Sequence, residues 1–156
     1  AHGDGTSFWV ACHADDVARA FVAAVGNETA FGKAYNVAGD EWMTWTRYHE
    51  QVAEAIGAPP PRLVPIPTEL LAQVADRAWV TAINFHYHNL VDSSAAQNDL
   101  GFRTTVPFKE GAGRIYRTLE RQGLIENSDE DPYDDRIIAA WERLCGRMAE
   151  EMRAEY

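Results

Sequence analysis

Cysteine is scarce: only Cys12 and Cys145 occur in 156 residues, and they form no CxxC pair. That excludes a disulfide scaffold and a cysteine zinc ribbon, and it suits a reducing compartment, so a cytoplasmic location is expected. Positive charge is also short. Fourteen Lys+Arg stand against 24 Asp+Glu, a net charge of −10. A chain of that sign repels polyphosphate, so neither nucleic acid nor an anionic membrane is expected as a partner. No apolar run approaches the roughly 18 residues of a membrane span. What is present in quantity is core material, 46% apolar and 11% aromatic residues. A domain of this size buries roughly 68–70% of its unfolded surface without help from metal or disulfide.

The glycine pattern of a phosphate cradle is missing as well. A dinucleotide loop needs G-x-G-x-x-G between a strand and a helix, so that the backbone can approach the pyrophosphate. Gly3-Asp4-Gly5 is followed at the third place by Phe8, and Gly111-Ala112-Gly113 falls inside a helical pattern with Tyr116 in that place. No Walker-type loop exists. An activated tyrosine with a lysine one turn later is absent too, because Thr29 and Thr105 stand four residues before the only lysines, Lys33 and Lys109. No G-x-S-x-G elbow is found. The chain alone is therefore not expected to grip a dinucleotide or to carry acid/base chemistry on a Tyr/Lys pair.

Strands and helices alternate along what remains. Ala1-His2-Gly3-Asp4-Gly5-Thr6-Ser7 reads as a loop within a longer protein. Ser7 to Cys12 is apolar on both alternating faces, as in a strand covered on both sides. Asp15 and Asp16 open a helix whose stripe of Val17, Phe21 and Val25 is expected to be buried, with Gly26-Asn27 as the stop. Asn27-Glu28-Thr29 reads as a plain turn. Ala34 to Ala38 is a second strand, and strand, helix and strand in this span predict a right-handed crossover. Thr44 or Thr46 caps a helix with Tyr48, Val52 and Ile56 inward, ended by Gly57 and three prolines. Leu63 to Ile66 reads as an edge strand because Pro65 has no N–H. Thr68 caps a helix through Val74, Asn84 to Val91 is expected to be extended, and Ser93 or Ser94 caps a turn to Leu100. Pro107 opens a helix with Ile115 and Leu119 inward, ended by Gly123. The acidic run 126–135 reads as a solvated connector. Arg136 to Tyr156 is expected as an amphipathic helix carrying Ile137, Trp141, Leu144 and Met148, docked on its own domain or, as the alternative, on a partner.

Among chemically capable side chains, His86 and His88 lie two apart and would share one side of a strand. Zinc there would need a third ligand from His13, Asp15 or Asp92, and a polar aromatic pocket wall is the plainer alternative. His13 beside Asp15-Asp16 is either an oriented base or a satisfied structural histidine. Trp42 and Trp45, which bracket Met43 and Thr44, fit a cover over a sheet end and helix start.

An ordered set of segments resembles the extended short-chain dehydrogenases/reductases, the NAD-dependent epimerase/dehydratase proteins. Gly3-Asp4-Gly5, then Trp9 through Ala20 with His13-Ala14-Asp15-Asp16-Val17-Ala18, is similar to their "hydrophobic strand, then x-D-D-V-A" segment. Gly32-Lys33-Ala34-Tyr35-Asn36-Val37-Ala38-Gly39 resembles "G-x-x-Y-N-V-G", and Thr44 their helix-opening threonine. Asp92-Ser93-Ser94-Ala95 through Leu100-Gly101-Phe102 is similar to "D-x-S-K-A-x-x-x-L-G-[WF]", followed by Pro107 to Gly111 as "P-x-x-x-G".

The resemblance implies an α/β chain: the C-terminal part of a Rossmann-like NAD(P)-binding fold plus the small substrate-binding subdomain over 1–125, then an acidic connector and helical tail over 126–156. The glycine-rich loop and catalytic Tyr/Lys lie upstream in that picture, no catalytic residue is assigned in this chain, and Asp16 staples a helix start. NAD or NADP is the implied cofactor, held mainly by an N-terminal half that is the first partner expected. A small-molecule substrate is the second, and a homodimer is left open. The expected substrate wall is Trp9, His13, Phe85, His86, His88 and Asn89. Ser7-Phe8 and Phe85 to Asn89 stand where nucleotide-sugar members place arginines, and Ala95 replaces the segment's lysine. A smaller, less charged or aromatic substrate is therefore expected rather than a sugar diphosphate. The competing reading is a non-catalytic binding or scaffolding protein on the same fold.

Overall fold

A computed structural model describes residues 1–154 of the chain. The fold is mostly helical, around a sheet of two short antiparallel strands, β1 (Phe8–Val10) and β2 (Trp42–Thr44). Trp9 pairs with Met43, flanked by Phe8 with Thr44 and Val10 with Trp42. The helices are α1 (Ala14–Ala24), α2 (Trp45–Ile56), α3 (Thr68–Val74), α4 (Ser94–Leu100), α5 (Phe108–Gln122) and α6 (Tyr133–Ala154).

Helix limits follow local chemistry. The Thr44 hydroxyl accepts from Arg47 N at 3.2 Å and caps α2. Gly57, Gly101 and Gly123, all at positive φ, close α2, α4 and α5 in the left-handed turn that glycine adopts without steric cost. Pro107 immediately precedes α5. At α1 the cap is His13, whose Nδ1 accepts from Asp15 N at 3.2 Å. Thr68 is buried within the first turn of α3 and makes no cap bond, its hydroxyl lying 3.2 Å from His86 Nδ1. Ser93 likewise gives no cap, because its hydroxyl takes the Ala38 N–H at 3.0 Å, and Asp92 caps the Ser94 N–H instead.

The sheet departs from expectation. Ala34 to Ala38 joins no ladder, so the strand–helix–strand crossover is not formed among the described residues. The local backbone is held by Ser93 at Ala38 and by Gly39 N donating to Ala11 O at 3.1 Å. The partner of β1 is instead the stretch just before α2, because Trp42–Thr44 turns directly back along it. Residues 1–3 are not a free loop. The Ala1 ammonium donates to Val64 O at 2.7 Å, Ile66 N to Ala1 O at 3.1 Å and Gly3 N to Ile66 O at 2.8 Å. The edge strand expected over Leu63–Ile66 is thus reduced to bridges at Ile66. Of the extended chain expected over Asn84–Val91, Asn84 and Phe85 instead end a π-helical turn, Thr81–Phe85, closed by His86 N on Thr81 O at 2.9 Å.

Burial corrects the helix stripes. Ala20, Ala96 and Phe102 form one small core with Cys12, Tyr35, Val37 and Leu100 around it. On α1, Phe21 is 72%, Val22 73% and Val25 83% exposed, so the expected buried stripe faces water. Phe8 on β1 is exposed too, contrary to a strand covered on both sides. Val17 is partly buried, but among the described residues nothing lies over Phe21, Val22 and Val25. The tail helix begins at Tyr133, three residues earlier than expected, and its last expected residues, Glu155 and Tyr156, lie outside the described residues. Its first half docks through Tyr133 Oη on Asp76 (2.6 Å) and Arg62 on Glu142 (2.6 Å), whereas Leu144 and Met148 stay exposed.

Candidate functional site

Four of the six expected pocket residues are divided between two cavities, and Phe85 and Asn89 line neither of them. The first is a polar cleft of about 500 Å³ lined by His2, Asp4, Thr6, Ser7, His86 and His88, with Pro65 and Pro67 closing it. Ser7 is placed by its hydroxyl, which donates to Phe85 O at 2.8 Å. His88 Nδ1 accepts from Phe8 N at 3.0 Å, so the neutral ring carries its proton on Nε2. The Asn89 N–H donates to Phe8 O at 2.8 Å. His88 and Asn89 therefore complete the outer edge of β1, and the Asn89 amide is spent on Asn84 O and Tyr87 O. Phe85 packs its ring on Trp45 at 4.7 Å.

His2 is the polar group of the cleft with the least satisfied environment. Its ring meets Trp45 edge-on at 5.5 Å, and its Nε2 and Trp45 Nε1 are both buried without a hydrogen-bond partner. Burial lowers the His2 pKa first, and the neighbouring ammonium of Ala1, His86 and His49 lower it further. Neutral histidine is thus the resting form. No lysine or arginine lines this cleft, so a diphosphate would find no countercharge here. The groups present suit a neutral ligand carrying hydroxyl or carbonyl oxygens.

The second cavity, about 380 Å³, lies between β1, α2 and α5 and takes Trp9 and His13 of the expected residues. Tyr48, Val52, Phe108 and Leu119 line it as well. Burial raises the Cys12 pKa, so this lining thiol stays protonated and is a poor nucleophile. Glycines on α5 admit two close neighbours, His13 and the backbone of α2. A Cβ at Gly111 would lie 3.0 Å from His13 Cδ2, and one at Gly113 would lie 3.3 Å from Ala55 O.

Sequence reasoning brought forward His86, His88, Trp9 and His13 but not their separation. It also left out His2, Ser7, Tyr48 and Phe108. The signal for the last two was present, as two apolar stripes, Tyr48-Val52-Ile56 and Phe108-Ile115-Leu119, on helices able to face each other. His2 carried no such signal, because only the pairing of residues 1–3 with Ile66 places it. Among the described residues no three His, Cys, Asp or Glu side chains gather as a metal site. His86 and His88 consequently have no third ligand, and each has one ring nitrogen engaged. No helix among the described residues is long and apolar enough to cross a membrane.

No protein-family model matches the sequence, and no curated protein sequence matches it. Solved structures do share its fold. UDP-glucuronic acid 4-epimerase from Bacillus cereus, in complex with NAD, superposes with a TM-score of 0.58 at 19% identity, over 78% of this chain and 34% of that one. UDP-glucose 4-epimerase from Bifidobacterium longum, in complex with NAD+ and UDP, superposes at 0.53 and 17% identity, over 78% of this chain and 32% of that one. The chain has the fold of part of these epimerases and spans about a third of their length.

Proposed function

We propose that this chain is the substrate-binding, C-terminal part of an NAD(P)-dependent epimerase, dehydratase or reductase. The observation that carries the reading is an unfinished face. Ala34 to Ala38 joins no ladder, and α1 turns Phe21, Val22 and Val25 to water. An apolar face of that kind marks a surface made to be covered. The fold likeness to about a third of two nicotinamide-dependent epimerases supports the same reading.

The described residues do not fit the coenzyme. Gly111 and Gly113 lie inside α5, where their bare Cα atoms admit His13 and the backbone of α2. Gly3 and Gly5 belong to the segment that pairs with Ile66 and Thr46. Neither pair stands between a strand and a helix N-terminus, so coenzyme binding and proton transfer are assigned to residues upstream of this chain.

The share of this chain is the polar cleft. Ser7, His86 and His88, with neutral His2 behind them, orient a small substrate through hydrogen bonds to oxygen and leave an anionic group unpaired. Trp9 and His13 line the other cavity and are left out of this role. Mixing residues 1–156 with the upstream segment, made as a separate polypeptide, tests the proposal. Nicotinamide-dependent turnover that neither piece has alone is expected, and His86→Leu should raise KM for the carbonyl or alcohol substrate while coenzyme affinity holds. Turnover by neither the mixture nor the continuous protein would reject it in favour of a non-catalytic binding role.

A further inference from the structure

The cavity between α2 and α5 shares no lining residue with the polar cleft, and its chemistry differs. Three rings meet on one wall: Trp9 with Tyr48 at 5.1 Å, Tyr48 with Phe108 at 5.3 Å, and Trp9 with Phe108 at 6.4 Å. The two pairs involving Trp9 are edge to face, the arrangement that aromatic rings favour and that a further ring can extend. Ile115 lines the cavity yet is 57% exposed, so the space opens to water. At about 380 Å³ it lies toward the small end of ligand cavities, roughly 300–1,000 Å³.

Its charge has one sign. Asp40 and Glu41 are the charged lining residues, and no lysine or arginine joins them. One Glu41 oxygen is occupied by the N–H of Phe108 at 2.8 Å. Asp40 has no hydrogen bond or ion pair among the described residues, and the Tyr48 hydroxyl has no hydrogen bond there either. An aromatic wall beside a free carboxylate is complementary to a ring that bears a cation, and the overall charge of −10 works in the same direction.

We infer that this cavity is a binding site for a small aromatic amine, with the ring against Trp9, Tyr48 and Phe108 and the ammonium paired with Asp40. The inference does not rest on the proposed enzyme role and concerns a second site. The test uses residues 1–156 and two probes of similar shape and opposite charge, tryptamine and indole-3-acetate, titrated by calorimetry. Tryptamine should bind saturably at one equivalent, with indole-3-acetate at least about tenfold weaker. Asp40→Asn should weaken tryptamine about fivefold, the effect of a partly screened charge pair, and narrow the difference between the probes. Ala112→Phe should fill the cavity and abolish binding, and Ile115→Phe, at a half-exposed position that tolerates the bulk, should do so without endangering the fold. Phe21→Ser on the distant apolar face of α1 should change nothing. Equal binding of both probes, an unaffected Asp40→Asn, or loss of binding in Phe21→Ser would overturn the inference.

Discussion

Asp16, on α1 and 0% exposed, holds Thr105 from 89 residues away, accepting from its backbone N–H at 3.1 Å and its hydroxyl at 2.8 Å. Val106 N donates to the same carboxylate at 3.2 Å, and Arg19 pairs with it. The family resemblance assigns this aspartate to a helix start, and the helix it secures is α5 rather than its own. Asp16→Ala leaves the backbone N–H groups of Thr105 and Val106 without their acceptor, while half-exposed Arg19 keeps water and the Thr105 hydroxyl, so a loss of about 2–4 kcal/mol is expected. Thr105→Val, which removes the hydroxyl's bonds to Asp16 and Arg19 but keeps both backbone donors, should cost roughly 1–2 kcal/mol. Urea midpoints of the two variants provide the comparison, and equal losses would contradict the assignment.

Gly39 is required by proximity rather than by φ. A Cβ there would lie 2.0 Å from Ala11 O, the carbonyl that accepts the Gly39 N–H. Gly39→Ala must therefore break that bond or displace the backbone, an expected loss of at least about 2 kcal/mol. Gly32 at φ +71° has nothing within 4 Å, so Gly32→Ala should cost only the left-handed conformation, about 1–2 kcal/mol. Thermal unfolding of both alanine variants distinguishes contact from conformation.

Stability should fall on mild acidification. Burial lowers the pKa of His2 and of His49 in the folded chain, below the ordinary histidine value of about 6.5 that the unfolded chain retains. The unfolded state then binds the proton first. The stabilising effect is fully present above that value and is lost as pH falls below it toward the folded pKa values. Denaturation midpoints measured from pH 7.5 to 5.5 should decline, and the double variant His2→Gln/His49→Gln should flatten the decline. An unchanged slope in that variant would assign the effect elsewhere.

The exposed face of α1 makes a prediction about cover. Phe21→Ser with Val25→Ser alters residues that touch little, so stability of residues 1–156 should move by no more than about 0.5 kcal/mol while solubility rises. Binding of the separately made upstream segment should be lost. Retained binding in a pull-down would mean that this face is not the one covered.

What could be read in the sequence was local. The stops at Gly57, Gly101 and Gly123 depend on residues within one turn and stand as expected, and of the two threonines expected to cap α2 it is Thr44 that does so. The stripe of Val17, Phe21 and Val25 is a true helical face, but periodicity reveals only that a face is apolar and not that this chain covers it. Thr68, and Ser93 of the pair Ser93 or Ser94, give no cap because distant partners, His86 and Ala38, engage their hydroxyls. The candidate site failed in the same way. Trp9 and His88 both belong to β1 or its edge, and which side of the strand each serves is decided by α5 on one hand and by residues 1–3 on the other.

Coenzyme titration is the measurement closest to the central proposal. With NADH and NADPH in the calorimeter, residues 1–156 should give no binding heat. The polypeptide that also carries the upstream segment should bind one equivalent of one of them. Saturable binding by residues 1–156 alone, or none by the longer polypeptide, would contradict the account.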